Sequence, residues 1–508
     1  MKKLFIIVAI VSFHFLSCDK DEIYFEPEAN TPQASDLVVT YDYESNLKLD
    51  FAKALGSALN ESLPLREFLK SEALKMFDRD YDVLYHLVKD EKLSSGETFR
   101  NLLLSHFADK NRLSEIEDGA PLLTIFIPEL PEDSFSAKIW NTQDEIPQVA
   151  IRMRTTNHVP IISNEGEEYV LEAGRIPAFP VIVIKDNERV VLNTSLAEKR
   201  NDVNGSVLSK NGGDLEFRFL DDVFNGTLET NLDVNPSQKR LHTGDFQMKV
   251  VEAYNIYKNA DGWQRDYVYY DLTPNNTKGE FSFEYQERIT NFRLIGDPMN
   301  AYNKISDQTG DPELITFNTT GSFWTGGFFE FKVRTLINAK NGIGSEIITY
   351  FPASPDQLFD ITYSKVLWFY MVQSIDLKTM YPRLPIINWD LNQYASSIKV
   401  EIEEVDLTVT TVINDTRTVK FATNFAIEGT VLKKIGLKFG ASLEITTTHS
   451  IQKTFTEGND QLGSVIINFA DDVIIGTVFM PEWGFDFYES REYPSGWYSI
   501  ALEPWKVQ

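Results

Sequence analysis

The chain has one cysteine, Cys18, so it closes no internal disulfide and offers no second thiol for redox chemistry. Histidine is equally scarce. There are six, at 14, 86, 106, 158, 242 and 449, scattered singly. No HExxH pair occurs, which removes the common zinc-protease signature. No G-x-S-x-G elbow, P-loop or G-x-G-x-x-G turn occurs either. Positive charge is in deficit: 48 Lys and Arg stand against 75 Asp and Glu, a net charge of −27. That balance excludes a basic nucleic-acid face and electrostatic docking to anionic lipid. We expect no nucleic-acid partner. No internal repeat, no low-complexity tract and no second long apolar run follow the short one at the N-terminus.

That first run is informative. Met1-Lys2-Lys3 is followed by apolar residues from Leu4 to Leu16, the layout of a secretory signal and too short for a spanning helix. Phe15-Leu16-Ser17-Cys18 resembles the lipobox of bacterial lipoproteins, with Phe15 where an aliphatic residue is usual. The resemblance implies that residues 1–17 are removed and that Cys18 carries the acyl chains. Lys20, Asp21 and Glu22 follow at once. They resemble the export signal of surface lipoproteins of the Bacteroidota, which implies lipid anchoring in the outer membrane and exposure to the cell exterior.

Residues 18–43 read as a polar tether and 44–115 as a helical segment. Leu47, Phe51, Leu55 and Leu59 recur every fourth position on one helix face. A second helix starts near Pro64, and Ser94 with Glu97 has the spacing of a capping box for a third. His106, beside Phe107, reads as a packed side chain. From 116 to 195 short β-rich runs alternate with prolines, and Val181–Leu192 reads as a hairpin turning at Asp186-Asn187. Residues 196–214 read as a linker. The remainder, 215–508, reads as a β-sandwich-type region without a long helix. Runs 246–254, 267–272, 328–337 and 398–409 serve as its example strands. The fold class expected is therefore mainly β, multidomain, with an N-terminal helical segment.

Two constellations stand out. Asp261 and Asp266 follow one apolar run, Glu404 and Asp406 close another, and Asp460 precedes Leu462-Gly463. This resembles the calcium loops of C2 domains, and implies that calcium is held by Asp261, Asp266, Glu404, Asp406 and Asp460. Converging carboxylates supply the hard oxygens that calcium takes. Second, residues 416–456 alternate apolar and Ser/Thr/Gly-rich positions over an unusual length, with Lys433-Lys434 at the expected turn. In pattern this resembles the stem hairpin of aerolysin-like pore formers.

No catalytic residues are assigned. The expected role is binding or structural, at the cell surface, toward a glycan or a protein partner. The alternatives are an exported hydrolase without a recognisable motif and a hairpin pore former. The anchor is directly testable. Cys18→Ala should move the protein from the carbonate-washed membrane fraction to the soluble fraction, and a variant that stays with the membranes would remove the lipoprotein reading.

Overall fold

The computed structural model describes residues 39–192, 207–208, 216–220, 224–227, 246–260, 262–306, 323–339, 344–405, 410–422, 444–456, 460–480 and 485–507, with backbone only for 323, 344–345, 410–422, 444–456, 460, 480 and 485–486. Residues 18–38 of the tether, with Cys18, Lys20, Asp21 and Glu22, the expected linker apart from Val207–Leu208, and Asp261 and Asp406 lie outside the described residues. The fold is mainly β, with several sheets in a multidomain, β-sandwich-like arrangement and a helical segment at its N-terminal side.

The helical segment opens with Tyr43–Glu61. Asp42 caps it by accepting from the Ser45 amide at 2.8 Å, and Leu47, Phe51, Leu55 and Leu59 are fully buried. Leu63–Ala73 follows, capped by Ser62 with Pro64 in its first turn. The next expected helix begins later than the Ser94/Glu97 spacing predicts. Its cap is Thr98, which accepts from Asn101 at 3.2 Å, and the helix spans Phe99–Ser105. Gly96 sits at φ +95°, a left-handed conformation that ends any helical register there, so residues 93–97 form a turn. A short strand, Asp82–Leu84, also interrupts the segment.

That strand is the edge of a six-stranded sheet. The order runs Asp82–Leu84, Leu123–Phe126, Val181–Asp186, Gln148–Ile151, Val159–Ile162, Glu168–Leu171. All neighbours are antiparallel except Gln148–Ile151 with Val181–Asp186. The Tyr43–Glu61 helix packs on the sheet, where Gly56 leaves room for Val149 and Ile162. The expected 181–192 hairpin does not form. Val190–Leu192 leaves this sheet and pairs with Phe217–Phe219, which also pairs with Val207–Leu208. Asn187 and Arg189, between the strands, are buried and draw the chain inward instead of folding it back.

Two four-stranded sheets form the sandwich. One has the order Leu384–Ile387, Tyr285–Leu294, Tyr498–Lys506, Glu492–Ser495. The other runs Gly344–Ala353, Phe329–Asn338, Ser397–Glu404, Asp460–Asn468. They meet through aromatic rings: Phe292 of the first lies 5.1 Å from both Phe331 and Phe351 of the second. Phe329–Asn338 is buried along its whole length, including its polar face. Arg334 there reaches Glu346 at 2.9 Å and Glu403 at 2.7 Å on its two neighbouring strands. One hydrophobic core runs without a break from Leu47 to Leu502.

Two expected strands are helices. Met248–Tyr257 buries Val250, Ala253 and Tyr257, which are neighbours on a helix face and not on a strand face. Gln264–Tyr270 covers most of the 267–272 run. Of the long hairpin, two paired end segments appear in the backbone, and residues 423–443, with Lys433-Lys434 at the expected turn, lie outside the described residues. Thr410–Ala422 and Glu444–Thr456 form their own two-stranded antiparallel sheet, in register from Thr410↔Thr456 to Ala422↔Glu444, beside Gly344–Ala353.

Candidate functional site

Of the expected calcium set, Asp266 and Glu404 have described side chains and lie apart; Asp261, Asp406 and the Asp460 side chain lie outside the described residues. Glu404 is buried at the end of its strand and stands in register opposite Asp460. Asp266 is also buried, but near the other end of strand Asp460–Asn468: its neighbours Gln264 and Arg265 bind the main chain of residues 471–474. The strand's length, about 25 Å at 3.3 Å per residue, separates the two positions. The loop that carries Asp261 joins two helices and not two strands, so the C2-like context is absent there. His106 ends the helix Phe99–Ser105, mostly buried, with Glu61 at 3.9 Å.

A different set of acids is brought together. Loop residues Asp78 and Asp80, Asp82 at the start of its strand, Lys185 near the end of Val181–Asp186, the turn residues Asn187 to Arg189, and the start of strand Phe329–Asn338 meet in one buried centre. Arg189 is its hub. Its guanidinium donates to the Asp78 carbonyl at 2.7 Å and the Phe328 carbonyl at 2.6 Å. It also lies 3.3 Å from Glu330 Oε1 and 3.5 Å from Asp80 Oδ2. Asn187 donates to Asp78 Oδ2 at 2.7 Å. Lys185 Nζ sits 3.1 Å from Asp82 Oδ2, 2.6 Å from Glu188 Oε1 and 4.6 Å from the Phe126 ring centre. Gly327 is required here, because any Cβ would fall on Asp80 Oδ2.

The electrostatics follow from burial. Five carboxylates, of Asp78, Asp80, Asp82, Glu188 and Glu330, face three cations, Arg79, Lys185 and Arg189, so protons are favoured on the acids least well served. Burial pushes Asp78 up to about 6 against the pull of Arg189, and pushes Glu330 up to about 8 against Arg189 and Arg79. Asp80 is raised and Asp82 raised well above the usual carboxylate range, again through burial. Burial works the same way on Glu188, but Lys185, Arg189 and Arg152 together outweigh it and hold that carboxyl low. Asp82 Oδ1 and Glu330 Oε2 are buried without a hydrogen-bond partner. Asp80, Asp82 and Glu188 each present an oxygen within 4.8 Å of the others, the spacing of a cation site. Lys185 and Arg189 already stand against these oxygens and act as the cations. The centre is therefore a charge-based joint between modules. Its Asp-x-Asp-x-Asp spacing at 78–82 was a signal open to sequence reasoning.

A separate concavity lies between the sheet that carries Tyr285–Leu294 and the small two-stranded sheet of Ile474–Met480 and Phe485–Ser490. Its volume is about 560 Å³. Phe246, Tyr381, Phe487 and Tyr488 give it aromatic walls, and Asn291, Glu489, Glu492 and Ser499 give it polar groups. Tyr488 is held edge-on by Phe246 at 6.0 Å and Tyr254 at 5.5 Å. Ser499 donates to Glu492 Oε2 at 3.1 Å. Asn291 Oδ1 is buried and has no protein partner.

No family model, no curated protein and no solved structure matches the chain. Its function has to be argued from this geometry alone.

The buried joint predicts a pH dependence. Glu330 is raised in the folded state, so the folded protein binds more protons than the unfolded chain between about 4.5 and about 8. Stability should therefore fall as pH rises through this window. Glu330→Gln should flatten the fall by on the order of 2–4 kcal/mol. Urea midpoints at pH 5 and pH 8 measure it, and an unchanged slope in the variant would contradict the assignment.

Proposed function

We propose that the protein is a lipid-anchored, cell-surface binding protein whose ligand is a glycan held in the 560 Å³ cleft. The observation that carries this reading is the lining of the cleft, where the rings of Phe246, Tyr381, Phe487 and Tyr488 stand around the polar side chains of Asn291, Glu489, Glu492 and Ser499. Aromatic faces take the C–H faces of sugar rings, and the flanking carboxylates accept from hydroxyl groups. The cleft's size lies within the range of small-ligand sites.

One observation favours a second reading. Glu489 and Glu492 line the same cleft, and glycoside hydrolysis runs on two carboxylates. Ser499 fixes the orientation of Glu492, as a working acid or base requires. An exported hydrolase would thus use the same surface as the binding protein.

Affinity electrophoresis in gels cast with mucin glycans, glycosaminoglycans or plant polysaccharides tests both. At least one polymer should retard the chain. Tyr381→Ala and Asn291→Ala should each weaken that retardation about tenfold without a change in thermal midpoint. Retardation that is untouched in both variants would place binding outside the cleft. Release of reducing ends, lost in Glu492→Gln, would select the hydrolase.

A further inference from the structure

Strands Phe359–Val366 and Phe369–Leu377 form a hairpin whose tip is Leu367-Trp368. The tip is apolar and faces outward. Leu367 is 80% exposed and Trp368 42%, with Val366 and Met371 exposed beside them. Leu367 sits at φ +55°, a conformation that two-residue turns usually give to glycine. A bulky apolar side chain is thus held in water at a backbone position that disfavours it. Neither property helps the fold.

The tip is nonetheless rigidly seated. The Ala178 amide donates to the Trp368 carbonyl at 2.9 Å, and Phe369 and Tyr370 pair with Ile176–Pro177. The Trp368 ring stands 6.2 Å from both Tyr169 and Phe179. This seat also locates the N-terminal end of the body. Tyr41, two residues from where the described chain starts, donates to Glu168 Oε1 at 2.7 Å, and Glu168 is the neighbour of Tyr169 on one strand. The chain thus enters the body at the edge strand on which the tip is seated, on that strand's opposite face. From Cys18 to Val39 is 21 residues, so an acyl anchor on Cys18 lies within about 75 Å of that entry point at full extension.

We propose that the Val366–Trp368 tip is a second membrane contact, which dips into the interfacial layer of the bilayer that holds the lipid anchor. The inference rests on the lipoprotein reading and adds an orientation to it. Tryptophan favours the boundary between headgroups and acyl chains, and Leu367 gains by leaving water. Anchoring at the bilayer plane raises the effective concentration of a tip too small to bind alone. The partner chemistry is a zwitterionic lipid surface, since a net charge of −27 repels anionic headgroups.

The single cysteine makes the test clean. In lipidated protein the Cys18 thiol is consumed, so Leu367→Cys carries the one free thiol for an environment-sensitive dye. The labelled chain is reconstituted into phosphatidylcholine vesicles with brominated acyl chains. The expected result is a blue-shifted emission with at least a twofold loss to bromine quenching. A dye at position 367 that keeps its aqueous emission on a chain that floats with the vesicles would overturn the proposal. Flotation of Cys18→Ser reports the anchor separately. If only the Cys18 chain floats, the anchor stands whatever the dye shows, and a Cys18 chain that does not float removes both.

Discussion

The arrangement of this molecule depends on one buried guanidinium. Arg189 binds the carbonyl of Asp78 from the helical segment and the carbonyl of Phe328 from the sandwich, while its own backbone continues the six-stranded sheet's last turn. Three stretches more than a hundred residues apart in sequence are thereby fixed to one point. Burying such a charge is costly, and ion pairs of this kind rarely add net stability over a well-packed apolar core. Their contribution is uniqueness. Only one approach of the sandwich to the N-terminal sheet satisfies the fork of Arg189, the crowded carboxylates and the close passage of Gly327 over Asp80.

The two surfaces given functional roles follow from that fixed arrangement. The hairpin tip is an element of the C-terminal region, but it is seated on Ile176–Pro177, which joins the hairpin's own sheet, and on Tyr169 of the N-terminal sheet. Its position on the edge strand where the tether enters exists only if the joint holds. The cleft lies within the C-terminal region, on a sheet whose rings interlock with the sheet that bears Glu330. The proposed lipid anchor and tip at one boundary, with the proposed glycan cleft on the body, form a coherent plan for the binding role proposed above.

Much of the fold was legible. The four-residue recurrence of Leu47, Phe51, Leu55 and Leu59 marks a helix whichever neighbours cover it, and the 122–127 and 328–337 runs mark strands. Other features were hidden by physics that sequence pattern does not carry. Phe329–Asn338 alternates like a half-exposed strand, yet Glu330, Lys332 and Arg334 are buried. Residues 248–257 mix aromatic and β-branched side chains that favour a strand locally, and packing of Val250, Ala253 and Tyr257 on one face decides for helix. Among 75 acidic residues the Asp78-Asp80-Asp82 spacing carried little signal by itself. Its meaning came from Lys185, Arg189 and Glu330, which only the fold brings near. The calcium loops were legible as spacing but depended on a strand context that the helices at 248–257 and 264–270 replace.

The central claim is that the Arg189 centre makes the N-terminal sheet and the sandwich one cooperative body. Native-state hydrogen exchange on wild type and Arg189→Lys tests it, because lysine keeps the charge and loses the fork. The account predicts that amides of Val181–Asp186 and of Phe329–Asn338 lose protection together and by equal free energies. A loss confined to residues 78–82 and 185–189, with both strands as protected as before, would contradict it.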